Sequence, residues 1–121
     1  MEKTILIVED YDDARCFMKL VVESYGYIVI EAANGIEALK IFADNLPDMI
    51  LMDIAMPGMD GLTTTRNIRN GKYGREIPIV AVTGQGGEVY DKAIAAGCNA
   101  MLEKPVDLDS LETVIRQYLE V

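Results

Sequence analysis

Five polar side chains follow short apolar runs of the sequence, and together they could perform chemistry. In chain order they are Glu9, Asp10, Asp53, Thr83 and Lys104. The carboxyl ends of parallel strands meet at one edge of a sheet, and open α/β sheets bind ligands there. Three carboxylates at that edge would raise one another's pKa unless cations compensate them. Lys104 supplies one positive charge. Mg²⁺ would supply the rest, since it binds a few carboxylate or carbonyl oxygens and keeps several waters.

A carboxylate in such a setting can act as a nucleophile toward phosphorus. Beside Mg²⁺ and a lysine it can become an aspartyl phosphate, because both cations neutralise the oxygens of the transferred group. Asp53 is the best candidate, because it leads into the loop Ile54–Gly58, where an exposed side chain can meet a donor. The Thr83 hydroxyl can then donate a hydrogen bond to the phosphoryl oxygens. Each residue alone also fits an ordinary turn, cap, strand or salt-bridge role, so the hypothesis depends on their occurring together.

The segments that must position these side chains alternate between two hydrophobic patterns. Short apolar runs predict five strands at Ile5–Val8, Tyr27–Ile30, Met49–Met52, Ile77–Val82 and Ala100–Leu102. Helical spacing of apolar residues predicts five helices at Asp12–Tyr25, Gly35–Ala43, Leu62–Ile68, Glu88–Ala96 and Leu108–Leu119. This (βα)₅ order predicts a single α/β domain over residues 1–121, with a doubly wound parallel sheet covered by helices on both faces.

Two local features can be predicted in more detail. The spacing within the first helix places four residues on one face: Phe17, Leu20, Val21 and Ser24. We expect Asp12 or Asp13 to be the N-cap of that helix. The glycine-rich stretch 84–87 predicts a mobile loop, and it does not match a phosphate-binding loop because no Gly-Lys-Ser/Thr follows it.

The composition excludes several kinds of site. The chain has no histidine, which rules out Ser-His-Asp and Cys-His catalysis and histidine-ligated metals. Cys16 and Cys98 cannot complete a four-sulfur metal site and are expected to be reduced thiols of a cytoplasmic protein. The formal charge of −9 argues against non-specific binding to nucleic acid or an anionic membrane, although a local basic patch is compatible with it. No apolar run is long enough to span a bilayer.

Four motifs resemble those of response-regulator receiver domains, and the resemblance covers essentially the whole chain. They are Ile-Leu-Ile-Val-Glu-Asp at 5–10, Met-Asp-Ile-Ala-Met-Pro-Gly-Met-Asp-Gly at 52–61, Val-Thr-Gly at 82–84 and Glu-Lys-Pro at 103–105. The resemblance implies a flavodoxin-like fold with strand order 2-1-3-4-5. It also implies Mg²⁺-dependent acceptance of a phosphoryl group from a histidine kinase or a His-containing phosphotransfer protein, followed by a changed surface for a downstream protein target. Such a domain catalyses its own phosphotransfer and dephosphorylation but does not turn over a substrate.

The resemblance also assigns roles to the acidic residues. Asp53 matches the phosphoacceptor, and Glu9 and Asp10 match the acidic pair of the family. Asp10 and Asp53 would bind Mg²⁺ together with the backbone carbonyl of Ala55, while Glu9 would act largely through water. Because this chain has no histidine, the phosphohistidine must come from another polypeptide or from an absent domain.

The remaining matched positions concern the response to phosphorylation. Thr83 matches the switch hydroxyl, and Lys104 matches the phosphate-contacting lysine, which precedes a cis peptide bond to Pro105 in the family. Receivers commonly carry Tyr or Phe three residues before the lysine, where this chain has Met101. This departure puts the usual coupling between threonine and aromatic ring in doubt. Gln85, like Ala55, occupies a position that influences phosphoryl hydrolysis in the family.

Two other functions and one assembly state remain open at this stage. A phosphorylation-independent interaction module with the same fold is one alternative, which Met101 keeps open. A Mg²⁺-dependent aspartyl phosphohydrolase is another, but such enzymes usually place a second acid where this chain has Ala55, and they need additional segments. The last predicted helix could also provide a surface for a homodimer. We expect no direct binding to nucleic acid and no membrane segment.

Overall fold

The structure is a computed structural model, and it describes residues 2–84 and 87–120. Five strands form one sheet: β1 Thr4–Val8, β2 Ile28–Ala32, β3 Met49–Asp53, β4 Ile79–Thr83 and β5 Ala100–Glu103. Five helices alternate with them: α1 Asp12–Ser24, α2 Gly35–Asn45, α3 Gly61–Asn70, α4 Glu88–Ala96 and α5 Leu108–Leu119. All strand pairs are parallel and the order is β2-β1-β3-β4-β5, which confirms the predicted topology. Within the predicted mobile stretch 84–87, Gln85 and Gly86 lie outside the described residues.

The strand alternation divides the core into two layers, one on each face of the sheet. Leu6 and Val8 of β1 pack with α2, α3 and α4 on one face. Ile5 and Ile7 of the same strand pack with α1 and α5 on the other face. Because both faces are covered, β1 and the central strands β3 and β4 are apolar along nearly their whole length. Their polar residues are left to the carboxyl ends, where the sheet is not covered.

Two predicted strands begin later than expected. β2 starts at Ile28 rather than Tyr27, and β4 starts at Ile79 rather than Ile77. The pairing explains the second case, because Ile79 is the first residue of β4 to lie opposite β3, where its partner is Ile50. Ile77 instead uses its carbonyl oxygen to accept a hydrogen bond from Arg69. An apolar run therefore predicts the strand but not the residue at which pairing starts.

Helix α1 begins at the predicted residue, Asp12, and ends at Ser24 rather than Tyr25. Phe17 and Leu20 are 58% and 61% exposed. The side chains that pack on the sheet have the same three- and four-residue spacing: Met18, Val21, Val22 and Tyr25. The face that carries Phe17 and Leu20 is therefore not the face that packs on the sheet. Apolar residues are available on two adjacent faces of α1, because each residue turns a helix by about 100°.

The N-cap prediction for α1 was also wrong. The cap position is Tyr11, which forms no side-chain cap hydrogen bond, and Asp12 and Asp13 lie in the first turn. The backbone N–H of Tyr11 donates to Glu9 Oε2 at 3.2 Å. Asp12 instead accepts a hydrogen bond of 2.6 Å from the guanidinium of Arg15. Acids in the first turn still stabilise the helix through its dipole, so they fulfil a different role from a cap.

A partly buried arginine, Arg69 at the end of α3, organises the amino edge of the sheet. Its guanidinium makes five hydrogen bonds, which is the full number of its N–H donors. Two go to the carbonyl oxygen of Gly97, and one each goes to the carbonyl oxygens of Gly74 and Ile77 and to Asn99 Oδ1. Arg69 thereby joins the end of α3 to the α3–β4 and α4–β5 connections without using a carboxylate.

The two cysteines are free thiols in different environments. Cys16 on α1 is exposed, and Cys98 is buried beside Thr65. Burial raises the pKa of the Cys98 thiol, so it remains protonated. Within residues 2–84 and 87–120, no helix is both long and apolar enough to cross a lipid bilayer.

Candidate functional site

The predicted site residues meet at the carboxyl edge of the sheet. Asp53 and Thr83 are the last residues of β3 and β4, Glu9 and Asp10 follow β1, and Lys104 follows β5. Glu9, Asp10 and Asp53 each offer a carboxylate oxygen, and these oxygens lie within 4.8 Å of one another. The parallel arrangement explains the convergence, because four neighbouring strands end at the same edge.

Lys104 is the cation that faces this carboxylate cluster. Its Nζ lies 2.9 Å from Glu9 Oε1 and 3.4 Å from Asp53 Oδ1. The carboxylate of Asp53 is almost inaccessible, with 3% of the residue exposed, whereas Asp10 is exposed. One lysine cannot neutralise three carboxylates, so the cluster keeps an excess of negative charge.

The two buried acids that share Lys104 have pKa values shifted in opposite directions, upward for Asp53 and downward for Glu9. Burial and the adjacent carboxylate of Glu9 raise the pKa of Asp53 to about 7, and Lys104 opposes this rise only in part. Burial also tends to raise the pKa of Glu9, but hydrogen bonds from Lys104, from Asp53 and from the backbone of Tyr11 lower it on balance. The shorter contact from Lys104 to Glu9 is consistent with this division. Asp53 therefore carries most of the electrostatic penalty of the cluster.

Thr83 is fully buried at the end of β4, where it pairs with Glu103 of β5, the residue before Lys104. Its carbonyl oxygen accepts a hydrogen bond of 2.7 Å from the backbone N–H of Lys104. The peptide bond that follows Lys104 is cis, as the family resemblance implied. Met101 is partly buried on β5 and packs against the core layer formed with α2, α3 and α4. A displacement of Thr83 would therefore reach Lys104 through the backbone.

The loop between Asp53 and α3 is closed by contacts between Gly61 at its end and Asp53 and Ile54 at its start. The backbone N–H of Gly61 donates to the carbonyl oxygen of Ile54 at 3.0 Å. A Cβ atom at Gly61 would lie 2.1 Å from the carbonyl oxygen of Asp53, so only glycine fits this approach. Asp60 then caps α3 by accepting a hydrogen bond from Thr63 N at 2.8 Å. These contacts fix the ends of the loop, while Ala55 within it is exposed.

Comparison with known protein families now identifies the chain. The family model described as response regulator receiver domain matches residues 5–116. The chain belongs to the response-regulator receiver domains. Receiver domains are signalling modules of two-component systems rather than classical enzymes. The family expectation drawn from the motifs at positions 5–10 and 52–61 is thus confirmed.

Individual relatives agree with this assignment along the whole length of the receiver domain. The polar-differentiation response regulator DivK of Brucella anthropi is 34% identical over 120 residues, covering 98% of each chain. A putative response regulator from Chloroflexus aurantiacus has a TM-score of 0.95 and 34% identity, with both chains covered completely. The receiver domain of a sensor histidine kinase from Pseudomonas aeruginosa, crystallised with a magnesium ion coordinated in its active-site cleft, has a TM-score of 0.92 and 31% identity over all of both chains.

The donor set of this receiver domain fits a hard divalent cation. Glu9, Asp10 and Asp53 supply only carboxylate oxygens, which are the ligands that Mg²⁺ prefers. The excess negative charge and the raised pKa of Asp53 both indicate that a further cation would stabilise the cluster. Charge and ligand type therefore make this edge an acidic cluster whose donors fit Mg²⁺.

Two features near the pocket were not predicted from the sequence. Arg15 on α1 donates a hydrogen bond of 2.8 Å to the carbonyl oxygen of Glu9 and also contacts Asp12 and Glu31. It holds the β1–α1 connection, and its spacing of three residues from Asp12 was an available signal. An apolar cavity of about 270 Å³ also lies beside Asp53. Part of its wall comes from α1, the β5–α5 connection and the start of α5: Ala14, Phe17, Met18, Pro105, Val106 and Leu108.

Proposed function

We propose that this receiver domain accepts a phosphoryl group on Asp53 from the phosphohistidine of a histidine kinase or phosphotransfer protein in the cytoplasm. The observation that carries the proposal is the position of Asp53. It is a buried carboxylate at a strand end, 3.4 Å from Lys104 and within the acidic cluster of Glu9 and Asp10. Residues 1–121 would act as a single receiver domain in this reaction.

The proposed transfer is an in-line displacement at phosphorus. An Asp53 carboxylate oxygen forms the new bond to phosphorus, the bond from phosphorus to the imidazole nitrogen breaks, and its electron pair returns to that nitrogen. Mg²⁺ held by Glu9, Asp10, Asp53 and the carbonyl oxygen of Ala55 would neutralise the charge that builds up on the phosphoryl oxygens. Lys104 would reorient from Glu9 and Asp53 toward the new phosphoryl oxygens.

The response would begin at Thr83 and Lys104. A phosphoryl group adds nearly two negative charges at neutral pH, and it would attract the Lys104 ammonium and the Thr83 hydroxyl. The hydrogen bond from Lys104 N to Thr83 O supports a coupled displacement of both strand ends. Met101 packs where an aromatic residue is common in the family, and its flexible side chain can repack without a ring rotation. The surface formed by α4, β5 and α5 would then present a changed shape to a downstream protein.

The cavity beside Asp53 supports a protein donor rather than a small metabolite alone. Its apolar wall includes Phe17 and Leu108, which are both exposed on the rim of the pocket. Exposed apolar residues that surround a reactive group are typical of a surface that another protein covers. A partner that presents a phosphohistidine would therefore bury α1 and the start of α5 while reaching Asp53.

The test is labelling with acetyl phosphate in the presence of Mg²⁺. We expect the wild-type chain to gain one phosphoryl group, and we expect Asp53→Asn to gain none, as measured by intact-protein mass spectrometry. Asp44→Asn is the matched control, since Asp44 is an exposed carboxylate on α2 outside the cluster. Equal labelling of Asp53→Asn and the wild type would contradict the proposal. An unlabelled wild type that binds its partner equally with and without beryllofluoride would favour the phosphorylation-independent module.

A further inference from the structure

The amino edge of the sheet carries a concentration of positive charge in an acidic chain. The basic segment, residues 66–75, contains four of the 11 basic residues and none of the 20 acids. Its basic residues are Arg66, Arg69, Lys72 and Arg75. It comprises the end of α3 and the start of the α3–β4 connection, so it lies at the edge where β4 begins. The carboxylate cluster lies at the edge where β4 ends.

The charges of the basic segment are not compensated within the described part of the chain. The salt bridges of residues 2–84 and 87–120 use four other bases: Arg15, Lys19, Lys104 and Arg116. Arg66, Lys72 and Arg75 are exposed. Arg69 is bonded only to neutral acceptors, so its full charge remains as well. The segment therefore carries four positive charges that form no salt bridge among the described residues, and the acid adjacent to it in the chain is Glu76.

The shape of the basic segment is fixed by close packing. Arg69 Nη1 donates to the carbonyl oxygen of Gly74 at 2.8 Å and folds the loop over the end of α3. A Cβ atom at Gly74 would lie 1.8 Å from the carbonyl oxygen of Ile68, so only glycine fits. Lys72 and the 60%-exposed ring of Tyr73 project from this fold, with Nζ 5.3 Å from the ring centroid. A pre-organised surface loses less conformational entropy when it binds a partner.

The helix dipole accounts for only part of the positive charge. Cations often lie in the last turn of a helix because the carboxyl end of the helix carries partial negative charge. Arg69 lies in the last turn of α3, but Lys72 and Arg75 lie beyond its final residue, Asn70. The attraction between cations and the helix dipole does not extend beyond the last turn. It therefore does not explain Lys72 and Arg75, which are exposed in the loop after α3.

We propose that the basic segment is a docking surface for an acidic polypeptide segment of a partner protein. A polypeptide is favoured over nucleic acid because the net charge of −9 repels an extended polyanion, whereas a short acidic segment contacts only the local positive charges. Tyr73 adds an exposed aromatic ring of the kind that anchors protein interfaces. Because the segment lies at the edge opposite Asp53, the acidic partner and a phosphoryl donor could bind at the same time.

The test uses an end-capped octapeptide of alternating Asp and Glu as the probe. In a titration of ¹⁵N-labelled protein at low salt, we expect amide shifts at residues 66–76 and none at Asp10 or Asp53. We expect Lys72→Glu/Arg75→Glu to raise the dissociation constant of the peptide at least about tenfold. Lys72→Gln/Arg75→Gln is a second variant that removes the charges without adding acids, and thermal melts of both variants check folding.

The matched control is Lys3→Glu/Lys40→Glu, which makes the same change in net charge at two exposed lysines outside the segment. We expect it to bind the peptide within about twofold of wild type. If this control lost as much affinity for the peptide as Lys72→Glu/Arg75→Glu, the proposal would be overturned, because net charge alone would then explain binding. Absence of shifts at residues 66–76 would also overturn it. Tighter binding of the segment to duplex DNA or to anionic vesicles than to the peptide would do so too.

Discussion

The two edges of the sheet hold charged side chains in opposite ways. At the carboxyl edge, Glu9 and Asp53 share a single cation, Lys104, and the pKa of Asp53 rises because of burial and the adjacent acid. At the amino edge, one cation, Arg69, directs every N–H donor to a neutral oxygen. The first arrangement leaves a carboxylate under electrostatic penalty, and the second leaves no donor without a partner.

This contrast separates a carboxylate cluster that can respond to pH and cations from an arginine fixed by its hydrogen bonds. A charge whose hydrogen-bond donors are all satisfied by dipoles stays in one protonation state, and Arg69 has no free N–H donor with which to bind a ligand directly. A carboxylate that faces other carboxylates gains free energy when a cation, a proton or a phosphoryl group neutralises it. The amino edge should therefore respond most to loss of its central residue, whereas the carboxyl edge should respond to pH and to cations.

The largest effect is expected from removal of the amino-edge arginine. Arg69→Met would leave the carbonyl oxygens of Gly97, Gly74 and Ile77 without this donor, at a cost of about 3–5 kcal/mol in the free energy of unfolding. Urea denaturation followed by circular dichroism measures this change. Arg66→Met is the control, because Arg66 is exposed on the same helix, and its effect should stay within about 0.5 kcal/mol. Similar losses in both variants would show that Arg69 has no special structural role.

A smaller effect of opposite sign is expected at the carboxyl edge. The folded-state pKa of Asp53 is raised to about 7, so its contribution to stability is full below its unfolded pKa and is lost as pH rises through about 7. Asp53→Asn removes this loss. In EDTA, the variant should therefore become more stable than wild type as pH rises from 4.5 to 8, by about 1–3 kcal/mol at the upper end.

Addition of Mg²⁺ sharpens this prediction. The cation should stabilise the wild type more than Asp53→Asn, because the wild type retains all three carboxylates of the cluster. The gap in urea midpoint between the two proteins at pH 8 should therefore narrow with increasing Mg²⁺. A stability difference that does not change with pH or with Mg²⁺ would contradict the electrostatic account of this edge.

The smallest effect concerns a tyrosine hydroxyl that bonds to two charged groups at the amino edge. The hydroxyl of Tyr27, just before β2, donates to Glu120 Oε2 and accepts a hydrogen bond of 3.3 Å from Arg116. Tyr27→Phe should cost about 1 kcal/mol at pH 8. Burial and the bond to Glu120 raise the pKa of Tyr27 to about 12, so this stabilisation is complete below pH 10 and is lost as pH rises through 12. The difference between wild type and variant in thermal melts should therefore shrink above pH 10, whereas Tyr90→Phe should change little at any pH.

The carboxyl edge could be predicted from the sequence because its signals are local. Asp53 directly follows a run of apolar residues, and a strand of that composition must end near its first polar residue. Alternation of strands and helices then brings the ends of β1, β3, β4 and β5 together, as the structure shows. Residue type, position and topology all pointed to one edge.

Other features could not be predicted because they depend on the three-dimensional arrangement. Arg69 bonds to carbonyl oxygens as far as 28 residues away, and every residue type offers such an oxygen. The buried face of α1 was ambiguous, since Phe17 and Met18 are both apolar and packing alone selects Met18. The basic segment was visible as four bases without an acid, but its rigidity depends on the close approach of Gly74 to Ile68.

The contact between Arg69 and Gly97 also has a mechanical consequence for α4. The carboxyl end of this nine-residue helix is held by two hydrogen bonds on the Gly97 carbonyl oxygen, whereas Gly87 at its amino end provides no side-chain cap. A tilt of α4 would therefore pivot at Gly97. For a helix about 13 Å long, a tilt of about 10° moves the amino end by about 2 Å and leaves the pivot in place. The displacement would be greatest at Glu88, at the amino end of α4. The hydrogen bonds from Arg69 at the amino edge of the sheet would therefore confine the movement of α4 to its end near the carboxyl edge.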